Sequence, residues 1–256
     1  MKSKGRRALD VTLTVVFCVA LTLFMLTFSI GLPIYCRFLY YIQIKTLNLP
    51  AAAAEYGIEA GYAEIKAAYD GILDFCTLPN RPFKSGIFHM SESGISHFAD
   101  CKVLFDLNVG VMIPSGVITL ALVLLNRFRV IELKKPFGHC PYLISAAVAV
   151  ALPLIIGALA AIDFDKAFEV FHGVFFPGKS NWTFDPYVDQ IITVMPEQFF
   201  MNCAIVIGVG LISFSAALIA ADVVLTRREK RAKTAENTLK KCEENTVGGI
   251  ENDGEK

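Results

Sequence analysis

The sequence predicts an all-α integral membrane protein: a four-helix transmembrane bundle under an extracellular cap formed by two outer connections. Three observations predict it. Four long apolar runs, 11–32, 109–126, 142–162 and 201–221, contain no Asp, Glu, Lys, Arg or His. Lys and Arg gather beside alternate ends of those runs. The two longest connections, 33–108 and 163–200, fall on the opposite side. A helix of 18 or more such residues crosses a hydrocarbon core of about 30 Å, and in lipid its backbone groups must pair within the segment. The apolar share of 54% and mean hydropathy of +0.52 exceed what a soluble surface allows.

Residues 1–10 carry Lys2, Lys4, Arg6 and Arg7 and form a cytoplasmic N-terminus ahead of the first span, 11–32. A basic start before an apolar run also suits a signal peptide. This run is long and no small-x-small cleavage site follows, so a retained helix is expected. Bulky Tyr35 removes a lipid-attachment reading of Cys36.

The first cap segment, 33–108, is too long for a plain loop. Tyr35, Phe38, Tyr40 and Tyr41 suit a membrane–water boundary. Ile58, Tyr62, Ile65, Tyr69 and Ile72 recur at helical spacing and give one apolar face. Pro79, Arg81 and Pro82 end that helix. Ser91 or Ser93 caps the next one, which runs without a turn signal into the second span, 109–126. His97 then lies about three turns beyond the membrane end of that span.

The cytoplasmic loop 127–141 carries Arg127, Arg129, Lys134 and Lys135, and the third span is 142–162. In the second cap segment, 163–200, that span is expected to continue as helix to His172. Pro177, Gly178 and Asn181 make a turn, with Trp182 and Phe184 as interfacial anchors. Asp185 and Pro186 open a short helix ending before Pro196. The fourth span, 201–225, leads into Arg227, Arg228, Lys230, Arg231 and Lys233, and 226–256 reads as a mobile cytoplasmic tail. By the positive-inside rule the three basic clusters mark the cytoplasm. The zero net charge is therefore an asymmetric one, and it gives no sign of nucleic-acid binding.

Four histidines and seven cysteines are present. The cysteines have no metal-like spacing, and their odd outer count gives no disulfide framework, though a Cys76–Cys101 bridge is one option. His139 reads as structural, and His89 has no carboxylate at helical spacing. His97 and His172 have matching settings: Asp100 lies three residues after His97, and Glu169 three before His172, with Asp165 one turn further back. A carboxylate at that spacing is within reach of an imidazole and would raise its basicity. The short loop between the second and third spans makes those helices neighbours, so the two imidazoles are expected to meet outside the membrane. A zinc site is a competing reading, but no HExxH or comparable cluster exists. Residues 94–98, Gly-Ile-Ser-His-Phe, lack the closing glycine of a serine elbow, Cys101 leaves a Cys–His pair open, and no cofactor loop is present. A transporter would place ionisable groups in its spans, and these have none; a non-enzymatic scaffold would make both histidines dispensable.

At these residues the sequence resembles the bacterial lipoprotein intramolecular transacylases, the Lit family. Residues 91–102, SESGISHFADCK, look like the family's first signature, Ser-x-x-Glu-Ile-x-His-Met-x-Asp-Val-Lys. Residues 164–178, FDKAFEVFHGVFFPG, with Asn181-Trp182 and PEQFF at 196–200, look like the second. The likeness spans about 11–221. Gly94 stands where the family has glutamate, Phe98 where it has Met, and Cys101 where it has Val. The resemblance implies an acyltransferase of the bacterial cell membrane, with its site on the outer side and no cofactor. Its partners are diacylglyceryl-modified lipoproteins with their acyl chains, and membrane lipid. The implied reaction moves the sn-2 acyl chain to the α-amino group of the lipidated cysteine, giving lyso-form lipoprotein. The resemblance makes His97 and His172 catalytic; by their spacing Asp100, Glu169 and Asp165 are expected to orient them, and Lys102 is a candidate for oxyanion support. Such a transfer within one molecule gains from proximity and requires no acyl-enzyme nucleophile.

Overall fold

In a computed structural model, which describes residues 4–136 and 140–252, every regular element is a helix. His139, expected to be structural, lies outside the described residues. The first long helix, α1, spans Lys4–Tyr35, and three shorter ones follow: α2 (Phe38–Thr46), α3 (Leu49–Ala54) and α4 (Tyr62–Thr77). Helix α5 spans Glu92–Arg127, α6 Pro141–Ile162, α7 Phe164–Phe175 and α8 Glu197–Asn252, with a 3-10 turn at Gln190–Val194 between the last two. Among the described residues three helices are long and apolar enough to cross a membrane, in α1, α5 and the Glu197–Arg228 part of α8; the apolar part of α6, Pro141–Ile155, is shorter. At 1.5 Å per residue the 36 residues of α5 extend about 54 Å, well past a hydrocarbon core, so its polar first four turns stand clear of its apolar run.

Helix α1 packs against α5, α6 and α8, and α6 against α8. Phe17, Leu21, Met25, Leu122, Ala146, Ala149 and Leu211 form the core among them. Gly210 lies where α8 crosses α1 closely: a Cβ there would sit 2.7 Å from Leu32 Cδ1, so the tip of that side chain would have to move. The outward faces stay apolar and exposed, as with Val15, Val117, Ile155 and Val209, which suits lipid rather than water. At the basic end, Arg6 donates to the Val130 carbonyl (2.9 Å), and the Lys134 amide to Thr14 Oγ1 (2.8 Å). These bonds strap the loop before α6 to the start of α1.

A second core lies at the other end of α1 and α5. Ile65, Ala68, Tyr69, Ile72 and Cys76 of α4 bury against Tyr40, Ile44, Leu49, Phe88, Phe98, Ile191, Val194 and Phe199. Tyr40 stacks on Tyr69 at 3.7 Å between centroids and donates to the Val194 carbonyl at 2.7 Å. The amphipathic helix expected in this region is α4, and it starts at Tyr62 because Glu64 Oε2 accepts from the Gly61 amide (3.1 Å). Ile58 therefore precedes the helix, although it is buried with that face.

Two further expectations change. Helix α6 does not continue to His172. Asp163 leaves the helical region (φ −153°, ψ 96°) and its carboxylate accepts from the Lys166 amide at 2.9 Å, capping a separate α7; aspartate is among the strongest N-caps. The helix expected to open at Asp185 and Pro186 is instead the 3-10 turn beginning at Gln190. The segment 226–252 continues α8 as helix, in keeping with its many Lys, Arg, Glu and Ala residues.

Candidate active site

The start of α5 is fixed from two directions. Ser91 is its N-cap, with Oγ accepting from the Gly94 amide at 2.9 Å. Asp189, buried and 98 residues away, accepts through Oδ1 from both the Ser91 amide and its hydroxyl, each at 2.8 Å. Beside it, the His89 amide donates to Gln190 Oε1 (2.8 Å), the Gln190 amide to the His89 carbonyl (2.9 Å), and His89 Nδ1 meets the Val188 carbonyl (2.7 Å). Gly94 makes this possible: a Cβ there would lie 2.3 Å from Asp189 Oδ1. The glutamate that a capping box would place at 94 is thus replaced by a carboxylate from the segment between α7 and α8.

This clamp orients the turn that carries His97 against the end of α7 that carries His172. The ring centroids of His97 and His172 stand 5.8 Å apart at 36°, and the residues are 8% and 6% exposed. Aromatic rings enclose them. Trp182 stacks on His172 at 4.6 Å, Phe168 lies at 4.1 Å, and Phe176 touches both imidazoles, at 4.9 Å from His97 and 5.6 Å from His172. Phe184 meets His97 at 5.6 Å. The interfacial preference of aromatic rings marks Trp182 and Phe184 as membrane anchors, but nothing in that preference points to them, or to Phe168 and Phe176, as contacts of the histidines. The PG turn and the pair Asn181-Trp182 in the second signature were the available signal.

The carboxylates do not take the partners that their spacing offered. Asp100 accepts from Lys179 Nζ and from Asn181 Nδ2 (3.0 Å), which ties the segment after α7 to α5. Glu169 accepts from Lys166 Nζ at 2.6 Å, and Asp165 is exposed on the first turn of α7. Lys102 donates to the carbonyls of Phe75 (2.8 Å) and Leu78 (2.9 Å) and so closes the C-terminal end of α4.

The imidazoles meet other groups. His172 Nδ1 is 2.7 Å from the Phe168 carbonyl. A carbonyl only accepts, so Nδ1 carries the proton and Nε2 is left with a free lone pair. His97 Nε2 is 3.5 Å from Cys101 Sγ, and its buried Nδ1 has no partner among the described residues. Burial holds both rings below the ordinary imidazole range. His97 is pushed down to about 4, with His172 and Lys179 adding to burial and Asp100 opposing it. His172 is lowered by burial against the raising effect of the Phe168 carbonyl. Both are therefore neutral at pH 7, each ring donating at one nitrogen and accepting at the other. Cys76 and Cys101 are free thiols. Among the described residues no group of three or more His, Cys, Asp or Glu side chains is placed to hold a metal ion.

A family model for the lipoprotein intramolecular transacylase Lit matches residues 15–200. The fold is similar to that of the membrane integral lipoprotein intramolecular transacylase Lit from Bacillus cereus, at 24% identity and a TM-score of 0.78, over 87% of this chain and 98% of that one. It is also similar to a variant of that protein with one histidine replaced by alanine, at 23% identity and a TM-score of 0.73, over 88% and 97% of the two chains. Among curated proteins none matches.

Proposed function

The chain belongs to the lipoprotein intramolecular transacylase (Lit) family, and on that premise we propose that it moves the sn-2 acyl chain of a diacylglyceryl lipoprotein onto the α-amine of its N-terminal cysteine. The observation that carries this reading is a pair of buried neutral imidazoles, 5.8 Å apart within an aromatic enclosure. In this reading 11–32, 109–126, 142–162 and 201–225 cross the bacterial cell membrane. Segments 1–10, 127–141 and 226–256 lie in the cytoplasm, and 33–108 with 163–200 form the outer cap.

The α-amine attacks the sn-2 ester carbonyl in its neutral form. As the C–N bond forms, the nitrogen becomes strongly acidic and passes a proton to His172 Nε2, so a base of lowered pKa suffices. His97 donates a hydrogen bond to the carbonyl oxygen as it gains negative charge. The ester C–O bond then breaks, and His172 gives its proton to the departing sn-2 oxygen. An amide and an alcohol result, with no net change in protons. Donor and acceptor belong to one molecule, so the enclosure contributes mainly by folding it into attack geometry. Asp100, Lys179 and Asn181 hold that enclosure closed around His172, which makes Asp100 a positioning residue, and Lys102 supports the cap rather than the oxyanion.

The reaction leaves mass unchanged, so the test reads where the acyl chain sits. Purified protein in vesicles is given two synthetic diacylglyceryl lipopeptides with different acyl chains, and fragmentation locates each chain after base treatment. The reading requires base-stable N-acyl products that retain their own chains. Crossed products would indicate transfer between molecules and would sink it.

A further inference from the structure

We propose that Cys101 is a positioning residue whose thiol donates to His97 Nε2 and thereby holds the proton of that imidazole on Nδ1. The inference rests on the two-histidine reading above and deepens it. Cys101 lies four residues after His97 on α5, so the 3.5 Å approach of Sγ to Nε2 is built into one rigid helical turn. The thiol keeps its proton at neutral pH, since burial pushes it up to about 12, with Cys76 and Asp100 adding to the rise. One hydrogen then lies between sulfur and nitrogen. An imidazole nitrogen is the stronger acceptor of the two, and thiol sulfur only a weak one, so the arrangement S–H···N is favoured over N–H···S.

This arrangement fixes the state of the other nitrogen. With Nε2 occupied as acceptor, Nδ1 must carry the ring hydrogen. Nδ1 is buried, without a partner among the described residues, in a residue 8% exposed. An orphaned buried donor is costly and requires an explanation, and a substrate oxygen supplies one. The two rings are thus sorted before substrate arrives. His172 presents a lone pair because the Phe168 carbonyl binds its Nδ1–H, and His97 presents a donor because Cys101 occupies its Nε2.

Nitrogen-15 spectra of histidine-labelled protein, with the His97 signals assigned by loss in His97→Gln, read the tautomer directly. The unaltered protein is expected to show His97 protonated at Nδ1. Cys101→Val, which keeps the bulk and removes the donor, should shift those signals toward the Nε2-protonated form. It should lower kcat about two- to fivefold with KM unchanged, the size expected of one weak hydrogen bond. Cys101→Ser restores a donor and should restore both kcat and the spectrum, which a purely structural role would not require. If His97→Gln is inactive while Cys101→Val matches the unaltered protein in rate and in nitrogen shifts, this inference alone is overturned. An active His97→Gln would instead remove the two-histidine reading and this inference with it.

Discussion

Replacing Gly94 by alanine sets two effects of opposite sign against each other. Gly94 is the third helical residue of α5, and alanine in a helix is favoured over glycine by about 1 kcal/mol. Against this, the new Cβ would lie 2.3 Å from Asp189 Oδ1 and 2.8 Å from Met90 Cε. The methionine tip can move. The carboxylate cannot without releasing the two hydrogen bonds from Ser91, each 2.8 Å long. Asp189 is 6% exposed, and bonds to a charged group contribute about 1.5–3 kcal/mol each, so the loss is about 3–6 kcal/mol and the net destabilisation about 2–5 kcal/mol. Unfolding midpoints in detergent for Gly94→Ala, for Asp189→Ala and for the double variant measure it. Without Asp189 the clash is gone, and the same Gly94→Ala change should then stabilise the protein. A Gly94→Ala protein that is more stable by the helix-propensity increment would refute the clamp between Asp189 and the start of α5.

Three other predictions concern the same end of the molecule. The His97 pKa falls from 6.5 to about 4 on folding, so between those values the unfolded chain binds more protons and stability drops as pH falls. The loss is roughly 3 kcal/mol in all; His97→Phe should abolish that part of the acid sensitivity, and unfolding curves at pH 7 and pH 4.5 that still differ as before would contradict it. Asp100→Ala frees Lys179 and Asn181 and loosens the segment bearing Phe176 and Trp182. Acyl-transfer kinetics should show kcat reduced about tenfold through misplacement, while the partly exposed ion pair costs at most about 1 kcal/mol in unfolding; unchanged kcat would dismiss its positioning role. Tyr40→Phe leaves the buried Val194 carbonyl unpaired and should cost about 1–3 kcal/mol, measured by thermal unfolding; a loss below 0.5 kcal/mol, on the order of an exposed substitution, would count against that bond.

The long apolar helices, the capped start of α5 and the meeting of His97 with His172 were legible in the sequence, because charge-free runs, cap residues and a short loop act locally. The break at Asp163 was legible too: an aspartate followed by an amphipathic stretch with an acidic residue in its first turn is an N-cap signal, and it outweighs the apolar run that precedes it. The partners of the carboxylates were not. Spacing of three places Asp100 within reach of His97 but does not weigh that contact against Lys179, 79 residues away. Asp189 was equally hidden, since its contact with Ser91 bridges 98 residues. Gly94 hinted at it by interrupting the capping box. The expectation of raised basicity failed for a related reason: with both carboxylates engaged elsewhere, burial decides the sign.

Mass spectrometry of the N-terminal peptide of a diacylglyceryl lipoprotein tests the two-histidine account most directly. The lipoprotein is made in cells lacking other N-acylating enzymes and supplied with the unaltered chain, His97→Ala or His172→Ala. The account predicts a lyso-form, N-acylated terminus with the unaltered chain and an unmodified α-amine with each variant. An N-acylated terminus made by either variant at the unaltered rate would contradict it.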